Sequence, residues 1–169
     1  MEPDHVDWLV DQVRRERPDL DTGLIELIGR ITRLNHHIEA EIAKSLERYG
    51  LRIGELTLLI ALRRAGEPFQ LTPTELYRAM MVTSGGATRR IDQLESRGLV
   101  RRTPHPRDRR ASLIGLTPEG RRLIDGAWAH HLEQNRTLFD ALEPEERRTL
   151  ADTLRRVLLW IEGPARARG

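Results

Sequence analysis

Residues 72–120 read TPTELYRAMMVTSGGATRRIDQLESRGLVRRTPHPRDRRASLIGLTPEG, and the order of helix signals in this stretch decides the fold. The segment Thr72–Glu75 combines proline at the first helical position with a T-x-x-E capping box, so a helix begins there. Thr83 or Ser84 can cap a second helix, which ends at Gly98 because glycine suits the left-handed position after a helix. We therefore predict two short helices that meet at a tight turn.

The second helix has one apolar face and one polar face. Ala87, Ile91 and Leu94 lie within about 60° of one another on a helical wheel. The opposite side carries Gly85, Thr88, Arg89, Asp92 and Ser96. One face is expected to be buried, and the other is available to a partner.

A β-hairpin follows the two helices. Segments 99–103 and 111–116 are short, contain valine, isoleucine and threonine, and flank a loop with two prolines. Residues 84–110 hold eight arginines against three acids, a net charge of +5, so the rest of the chain carries −3. Helix, turn, helix and hairpin is the order of a winged helix-turn-helix, whose second helix enters the major groove. Arginines clustered at the hairpin tip suit DNA phosphates.

Long helices flank this unit on both sides. We predict them over about 4–15, 21–50 and 52–64, and again after Thr117-Pro118 and Glu143-Pro144. The helix from residue 21 carries an apolar stripe along its whole length, which needs a partner surface. The helix over 52–64 is apolar around most of its circumference and is expected to be central. The fold class is therefore mainly α with a small β-hairpin wing.

Composition excludes several classes of protein. The chain has no cysteine, which rules out disulfides and thiolate metal sites. Its longest apolar runs, such as LTLLIAL over 56–62, are far shorter than the roughly 20 residues of a membrane span. The acidic start MEPDHVD does not match a signal peptide. We expect a soluble cytoplasmic protein with no membrane partner.

Two histidine pairs, 36–37 and 130–131, are the only candidates for metal or catalytic chemistry. Adjacent histidines on a helix point about 100° apart, and no i, i+4 histidine pattern is present, so we predict no metal and no cofactor. His131 lies on an apolar stripe with Trp128 and Leu132, which favours a histidine in a core or interface. Such a histidine could also contact an effector or sense pH. No nucleophile or phosphate-loop motif is present, so we do not expect an enzyme.

From residue 71 to residue 120 the sequence resembles the MarR family of bacterial regulators. The resemblance is carried by TSGGATRRIDQLESRGLVRR (83–102), by the D-x-R pair Asp108 and Arg110, and by LTPEG (116–120). It implies a homodimeric repressor that binds double-stranded DNA at a pseudo-palindromic operator and releases it on ligand binding or oxidation. The absence of cysteine removes the thiol mechanism, which leaves a small aromatic or phenolic effector.

The resemblance also implies three regions and a set of DNA-binding residues. Residues 1–50 would form N-terminal helices for dimerisation and a pocket wall, 51–117 the winged helix-turn-helix, and 118–169 the C-terminal dimerisation helices. Arg110 would enter the minor groove, oriented by Asp108. The implied DNA-binding residues are Ser84, Thr88, Arg89, Arg90, Arg107, Asp108, Arg109 and Arg110.

An effector pocket is implied between the winged helix and the long helices. Its residues would be Arg90, Thr57, His36 and Arg102. The N-terminal helix and RPDLD (17–21) resemble the urate-responsive branch, whose ligand residues match at Arg90 and Arg102. Val13 stands where that branch has tryptophan, and Thr57 where it has an acid. These departures argue against urate itself and leave another aromatic or phenolic anion.

Simpler interpretations of the arginines stay open from the sequence. Arg89 and Arg97 could be solvated helix cations, and Arg97 also suits the helix dipole. Arg101 and Arg102 point to opposite faces of a strand, so one is expected to be a structural ion-pair partner. The arginines of 107–110 could belong to a merely soluble loop. The alternative function is a winged-helix module for protein interaction or dimerisation that binds no operator.

Overall fold

A computed structural model describes residues 2–80, 86–107 and 111–163 of the chain. The order of elements is α1 (His5–Glu16), α2 (Thr22–Glu47), α3 (Ile53–Arg64), β1 (Gln70–Leu71), α4 (Pro73–Ala79), α5 (Ala87–Ser96), β2 (Val100–Pro104), β3 (Ser112–Leu116), α6 (Pro118–Arg136), a 3₁₀ turn (Thr137–Phe139) and α7 (Pro144–Glu162). The predicted fold class, mainly helical with a small antiparallel wing, is confirmed.

The core forms around α3, as its apolar circumference predicts. Leu58, Leu59 and Leu62 are fully buried, and residues from α2, α4, α5, the sheet and α6 pack around them. The long helices therefore share one core with the helix-turn-helix. Because protein interiors are close-packed, a displacement of α3 would also displace α5.

Helix starts inside the quoted stretch follow the capping signals. Thr72 accepts a hydrogen bond from the Glu75 amide at 3.2 Å, and Glu75 accepts one from the Thr72 amide at 2.9 Å. Thr117 caps α6 by accepting from the Gly120 amide at 3.0 Å. The predicted caps at Thr72 and Thr117 are confirmed.

The start of α5 differs from the prediction. The helix begins at Ala87 with Gly86 as its N-cap, in the left-handed region at φ 79°. A left-handed residue interrupts a right-handed helix, so the prediction that Thr83 or Ser84 caps this helix is wrong. Both of those residues lie outside the described part. Gly98, at φ 69°, ends the helix as predicted.

The sheet has a third strand that the sequence did not predict. β2 and β3 form the predicted hairpin, with Arg102 opposite Ile114. β1 pairs antiparallel with the other edge of β3, and Gln70 lies opposite Gly115. A strand of two residues is too short to show alternation, which explains the omission.

The helix that begins at Pro118 is shorter than the run of apolar residues at helical spacing. The apolar spacing extends to Leu142, but α6 ends at Arg136 and a 3₁₀ turn follows. The Thr137 hydroxyl donates to the Gln134 carbonyl at 2.8 Å, which satisfies an acceptor at the helix end. Among the described residues, no helix has both the length and the apolar composition needed to cross a membrane.

Apolar faces of α2 and α7 are open to solvent in the single chain. The exposed residues of α2 include Leu24, Leu27, Ile28, Ile31 and Leu34. Those of α7 include Leu150, Leu154, Val157, Leu158 and Ile161. Between the two helices lies a groove of about 640 Å³ whose lining includes Leu27, Ile31, Leu154 and Val157.

Candidate nucleic-acid interface

The helix α5 presents a polar face to solvent, as its periodicity predicts. Ala87, Ile91 and Leu94 are 1%, 2% and 0% exposed, so the apolar face is fully packed. Thr88, Arg89, Asp92 and Ser96 are exposed. The available face of α5 therefore combines a threonine and an arginine near its start, where recognition helices contact base edges.

The helix α4 is fixed against the core and against α5. Leu76 and Met80 are buried, and Arg64 of α3 donates to the Ala79 carbonyl at 2.8 Å. Tyr77 packs beside the core, and its hydroxyl lies 3.3 Å from the Thr88 hydroxyl. The two helices are thus tied together at the exposed end of α5.

Arg90 lies over the first turn of α3. A Cβ atom placed on Gly54 would be 2.5 Å from Arg90 Nε, so only glycine permits this close approach. Within the described part of the chain, Arg90 Nη1 is buried without a hydrogen-bond partner. Arg90 thus points back toward the body of the protein, which was one of the two predicted orientations.

A cavity of about 340 Å³ lies at this junction of α3 and α5. Its lining includes Arg52, Gly54, Glu55, Gly86, Arg89, Arg90 and Gln93. Three guanidinium groups against the one carboxylate of Glu55, next to the start of a helix, give the cavity a net positive lining that suits an anion.

Arg102 connects the wing to the recognition helix. Its Nη2 lies 2.5 Å from Asp92 Oδ1, its Nη1 contacts Glu95, and its amide donates to Glu95 at 3.0 Å. These carboxylates raise the pKa of Arg102, with the hydrogen bond to Asp92 as the main cause. The prediction that one of Arg101 and Arg102 is a structural ion-pair partner is confirmed, and the residue is Arg102.

Arg97 anchors the other end of α5. Its Nη1 lies 3.4 Å from the carboxylate of Glu55, which is only 5% exposed, and its Nη2 lies 3.5 Å from the Tyr49 carbonyl. Glu55 also accepts from the Arg52 amide at 2.8 Å, which fixes the carboxylate. Arg97 is therefore a structural link rather than a solvated cation.

The wing is described up to Arg107. That side chain is exposed, and the Arg107 amide donates to His105 Nδ1 at 3.2 Å. Four predicted DNA-binding residues lie outside the described part, and they are Ser84, Asp108, Arg109 and Arg110. Their contacts with DNA stay predictions.

The residues predicted for an effector pocket are placed at different sites in the single chain. Thr57 lies one turn after Gly54 on α3, and its hydroxyl donates to the Ile53 carbonyl at 2.8 Å. His36 lines a separate cavity of about 470 Å³ on α2. Arg102 is engaged by α5. The lining of the cavity beside Arg90 includes none of Thr57, His36 and Arg102.

The histidine pairs form no metal site in the described ranges, where no three histidine, aspartate or glutamate residues are grouped to hold an ion. His131 lies on α6 and is half-buried against α2. The Asn135 amide lies 2.8 Å from its Nδ1, and the Ser45 hydroxyl lies 3.5 Å from it. Burial lowers the pKa of His131, and His130 lowers it further.

These features define a winged helix-turn-helix protein with a cationic face. The sequence profile of the MarR family matches residues 49–111. The regulator PecS of Dickeya dadantii (strain 3937) is 36% identical over 149 residues, which cover 88% of this chain and 90% of PecS. The chain belongs to the MarR family and is a DNA-binding transcriptional regulator.

Solved structures agree with this assignment. A mutant of MarR from Escherichia coli, complexed with operator DNA, is 28% identical with a TM-score of 0.72, covering 81% of this chain and 96% of that one. Sco3205 from Streptomyces coelicolor, in complex with DNA, is 25% identical with a TM-score of 0.76, covering 89% and 95%. The similarity therefore extends beyond the winged helix to the flanking helices.

Proposed function

We propose that the chain acts as a homodimeric repressor that binds a pseudo-palindromic operator and leaves it when a small aromatic or phenolic anion binds. The half-sites would lie about one helical turn of DNA apart. The observation that carries the proposal is the combination of a polar exposed face on α5 and an arginine-rich wing with apolar faces on α2 and α7 that lack cover within the described chain.

A second copy of the chain explains those apolar faces. Leu24, Leu27 and Ile28 are 59%, 55% and 61% exposed, although apolar side chains at helical spacing are normally buried. Contiguous apolar patches of this kind mark interfaces in soluble proteins. Residues 1–50 and 118–169 would therefore form the dimer, and 51–117 would bind DNA.

Sedimentation measurements test the dimer. Leu27→Glu and Val157→Glu each place a charge in the α2–α7 groove, so we expect monomers and an operator affinity reduced more than tenfold. Lys44→Glu is the matched control, because Lys44 lies on α2 with its side chain 75% exposed. Dimers of unchanged stability in both groove variants would contradict the proposed interface.

For operator binding we propose a division of labour between α5 and the wing. Thr88 and Arg89 are exposed near the start of α5, and with Ser84 they would face bases or phosphates in the major groove. Arg107, Arg109 and Arg110 would contact phosphates or the minor groove, with Asp108 orienting Arg110.

A salt titration on a duplex enriched from random sequences tests this division. Arg110→Ala should weaken binding to every duplex and reduce the double-logarithmic salt slope by about one. Arg89→Ala should cost on the order of 1–3 kcal/mol at particular base pairs. Arg122→Ala, which removes an exposed cation from α6, is the control. A chain that enriches no sequence would instead support the interaction module.

The effector would bind beside Arg90. The cavity there offers guanidinium groups, and Nη1 of Arg90 is buried without a partner in the described chain, so an anionic oxygen would satisfy it. A thermal-shift screen of benzoate and its hydroxy derivatives tests the site, since a ligand of the folded state raises the melting temperature. The increase should disappear in Arg90→Ala. An increase that persists in this variant would place the effector elsewhere.

A further inference from the structure

The contact between Tyr77 and Thr88 lies at the point where α4 approaches the start of the recognition helix. Tyr77 is partly buried against the core, while Thr88 is exposed on the first turn of α5. The two hydroxyl oxygens are 3.3 Å apart, within hydrogen-bond distance. Tyr77 is thus a packed group that contacts an exposed one on the surface proposed to face DNA.

Packing around Tyr77 fixes the position of its hydroxyl group. Leu76 beside it is 0% exposed, and the C-terminal end of α4 is tied to α3 through Arg64 and the Ala79 carbonyl. A phenol has only two side-chain torsions, so packing of the ring fixes its oxygen. Thr88 lacks such packing because it is exposed.

An exposed helical threonine ordinarily divides between two χ1 rotamers. The contact with Tyr77 favours the rotamer that turns the Thr88 hydroxyl toward α4. The methyl group branches from the same Cβ about 120° away in χ1, so it takes one direction as well. A threonine methyl in the major groove packs against the 5-methyl group of thymine.

We propose that Tyr77 is a positioning residue that orients Thr88, so that the Thr88 methyl group reads the 5-methyl group of a thymine in each half-site. The proposal rests on the operator binding proposed above, and it adds the base that is read and the residue that sets the reading. Tyr77 acts through Thr88 and needs no contact with DNA of its own.

Deoxyuridine substitution tests this directly, because deoxyuridine pairs like thymidine but lacks the 5-methyl group. On a duplex enriched from random sequences, each thymidine of both half-sites is replaced in turn. We expect wild type to lose about fourfold in affinity per half-site at one position, the size of one buried methyl group. Thr88→Ser, which removes the methyl and keeps the hydroxyl, should bind both duplexes equally.

Tyr77→Phe separates positioning from folding. It should bring the ratio of the affinities for the thymidine and deoxyuridine duplexes close to one at that one position. The ratios at the other positions and the salt slope should stay unchanged. Thr88→Val keeps a methyl but has no hydroxyl, so adding Tyr77→Phe to it should not change the ratio further. Tyr49→Phe is the matched control, because it removes the only other tyrosine hydroxyl, which donates to the Gly126 carbonyl at 3.1 Å.

Three outcomes would overturn the proposal, and they are distinguishable. If Tyr77→Phe kept the full preference for thymidine over deoxyuridine, the Tyr77 hydroxyl would not be the group that orients Thr88. An equal loss on all duplexes, with a lower melting temperature, would show a structural role only. If deoxyuridine changed the affinity of the wild-type protein at no position, the proposed contact with the thymine methyl group would be refuted. Failure to enrich any sequence would instead refute operator binding, and this inference with it.

Discussion

The guanidinium of Arg102 on β2 bridges to Asp92 on α5, with 2.5 Å between Nη2 and Oδ1. This ion pair joins the strand that leads into the wing to the helix that we propose faces DNA. Glu95, one turn further along α5, contacts the same guanidinium. One guanidinium thereby offsets part of the negative charge of two carboxylates on α5, beside the surface proposed for DNA phosphates.

Arg102→Ala tests this link. The side chains are partly exposed, so we expect the free energy of unfolding to fall by only about 0.5–1 kcal/mol, measured by denaturant titration. DNA affinity should fall more at low salt than at high salt, since the unpaired carboxylates repel phosphates and salt screens the repulsion. Arg101→Ala removes the same charge from the preceding position. Equal losses of stability in both variants would contradict a specific role for Arg102.

The pair Arg101 and Arg102 shows how far sequence reasoning reaches. Strand alternation places the two side chains on opposite faces and predicts that one is structural. It does not say which one, because the deciding carboxylates belong to α5 and the distance between helix and strand is a property of the packed fold. Arg97 is similar, since its buried partner Glu55 lies 42 residues earlier in the chain.

Local signals predicted the elements well where they depend on neighbouring residues. The cap at Thr72 and the stop at Gly98 are set by side chains and glycines within a few positions. The start of α5 was predicted too early because Thr83 and Ser84 are good caps in isolation, whereas Gly86 adopts a left-handed conformation. The strand β1 is defined only by its pairing with β3, which no local pattern shows.

Two glycines of α6 should respond oppositely to alanine. A Cβ atom on Gly120 would lie 1.9 Å from the backbone oxygen of Leu99, which cannot move without disturbing β2, so we expect a loss on the order of 2–3 kcal/mol. A Cβ atom on Gly126 would meet nothing closer than Tyr49 at 3.9 Å. Gly126→Ala should therefore stabilise by up to about 1 kcal/mol through helix propensity.

Thermal melts at one fixed protein concentration measure both changes, because the stability of a dimer depends on concentration. Each variant serves as the control for the other. A melting temperature that does not fall in Gly120→Ala would show that the approach of α6 to the Leu99 backbone is looser than described.

The pKa of His131, lowered mainly by burial, predicts a pH dependence of stability. A folded-state pKa below the unfolded value means that the unfolded chain binds more protons as the pH falls below the unfolded value near 6.5. The contribution of His131 to the free energy of unfolding is therefore complete above the unfolded-state pKa. It is lost on acidification toward the folded-state pKa. The Asn135 amide lies 2.8 Å from Nδ1 of the same ring.

Denaturant titrations at pH 7.5 and at pH 5.5 should show a smaller drop in stability for His131→Gln than for wild type. His37→Gln is the control, because it removes an exposed histidine of α2. An acid-induced drop of the same size in wild type and His131→Gln would assign the dependence to other groups.

Gly54→Ala tests whether the orientation of Arg90 controls the effector response. The added Cβ would lie 2.5 Å from Arg90 Nε, but the obstacle is a flexible side chain, so Arg90 moves and α3 stays intact. Alanine also favours the helix by up to about 1 kcal/mol, so we expect a protein at least as stable as wild type. Its melting temperature should no longer rise with an aromatic anion that stabilises wild type.

The same variant should keep binding DNA when the anion is added, because the proposed effector site would have lost the position of the Arg90 guanidinium. Gly126→Ala gives a similar gain in helix propensity away from the cavity and should respond to the anion like wild type. A normal response in Gly54→Ala would mean that the approach of Arg90 to Gly54 serves packing alone. If both variants lost the response to the anion, the cause would be the stiffer helices rather than the position of the Arg90 guanidinium.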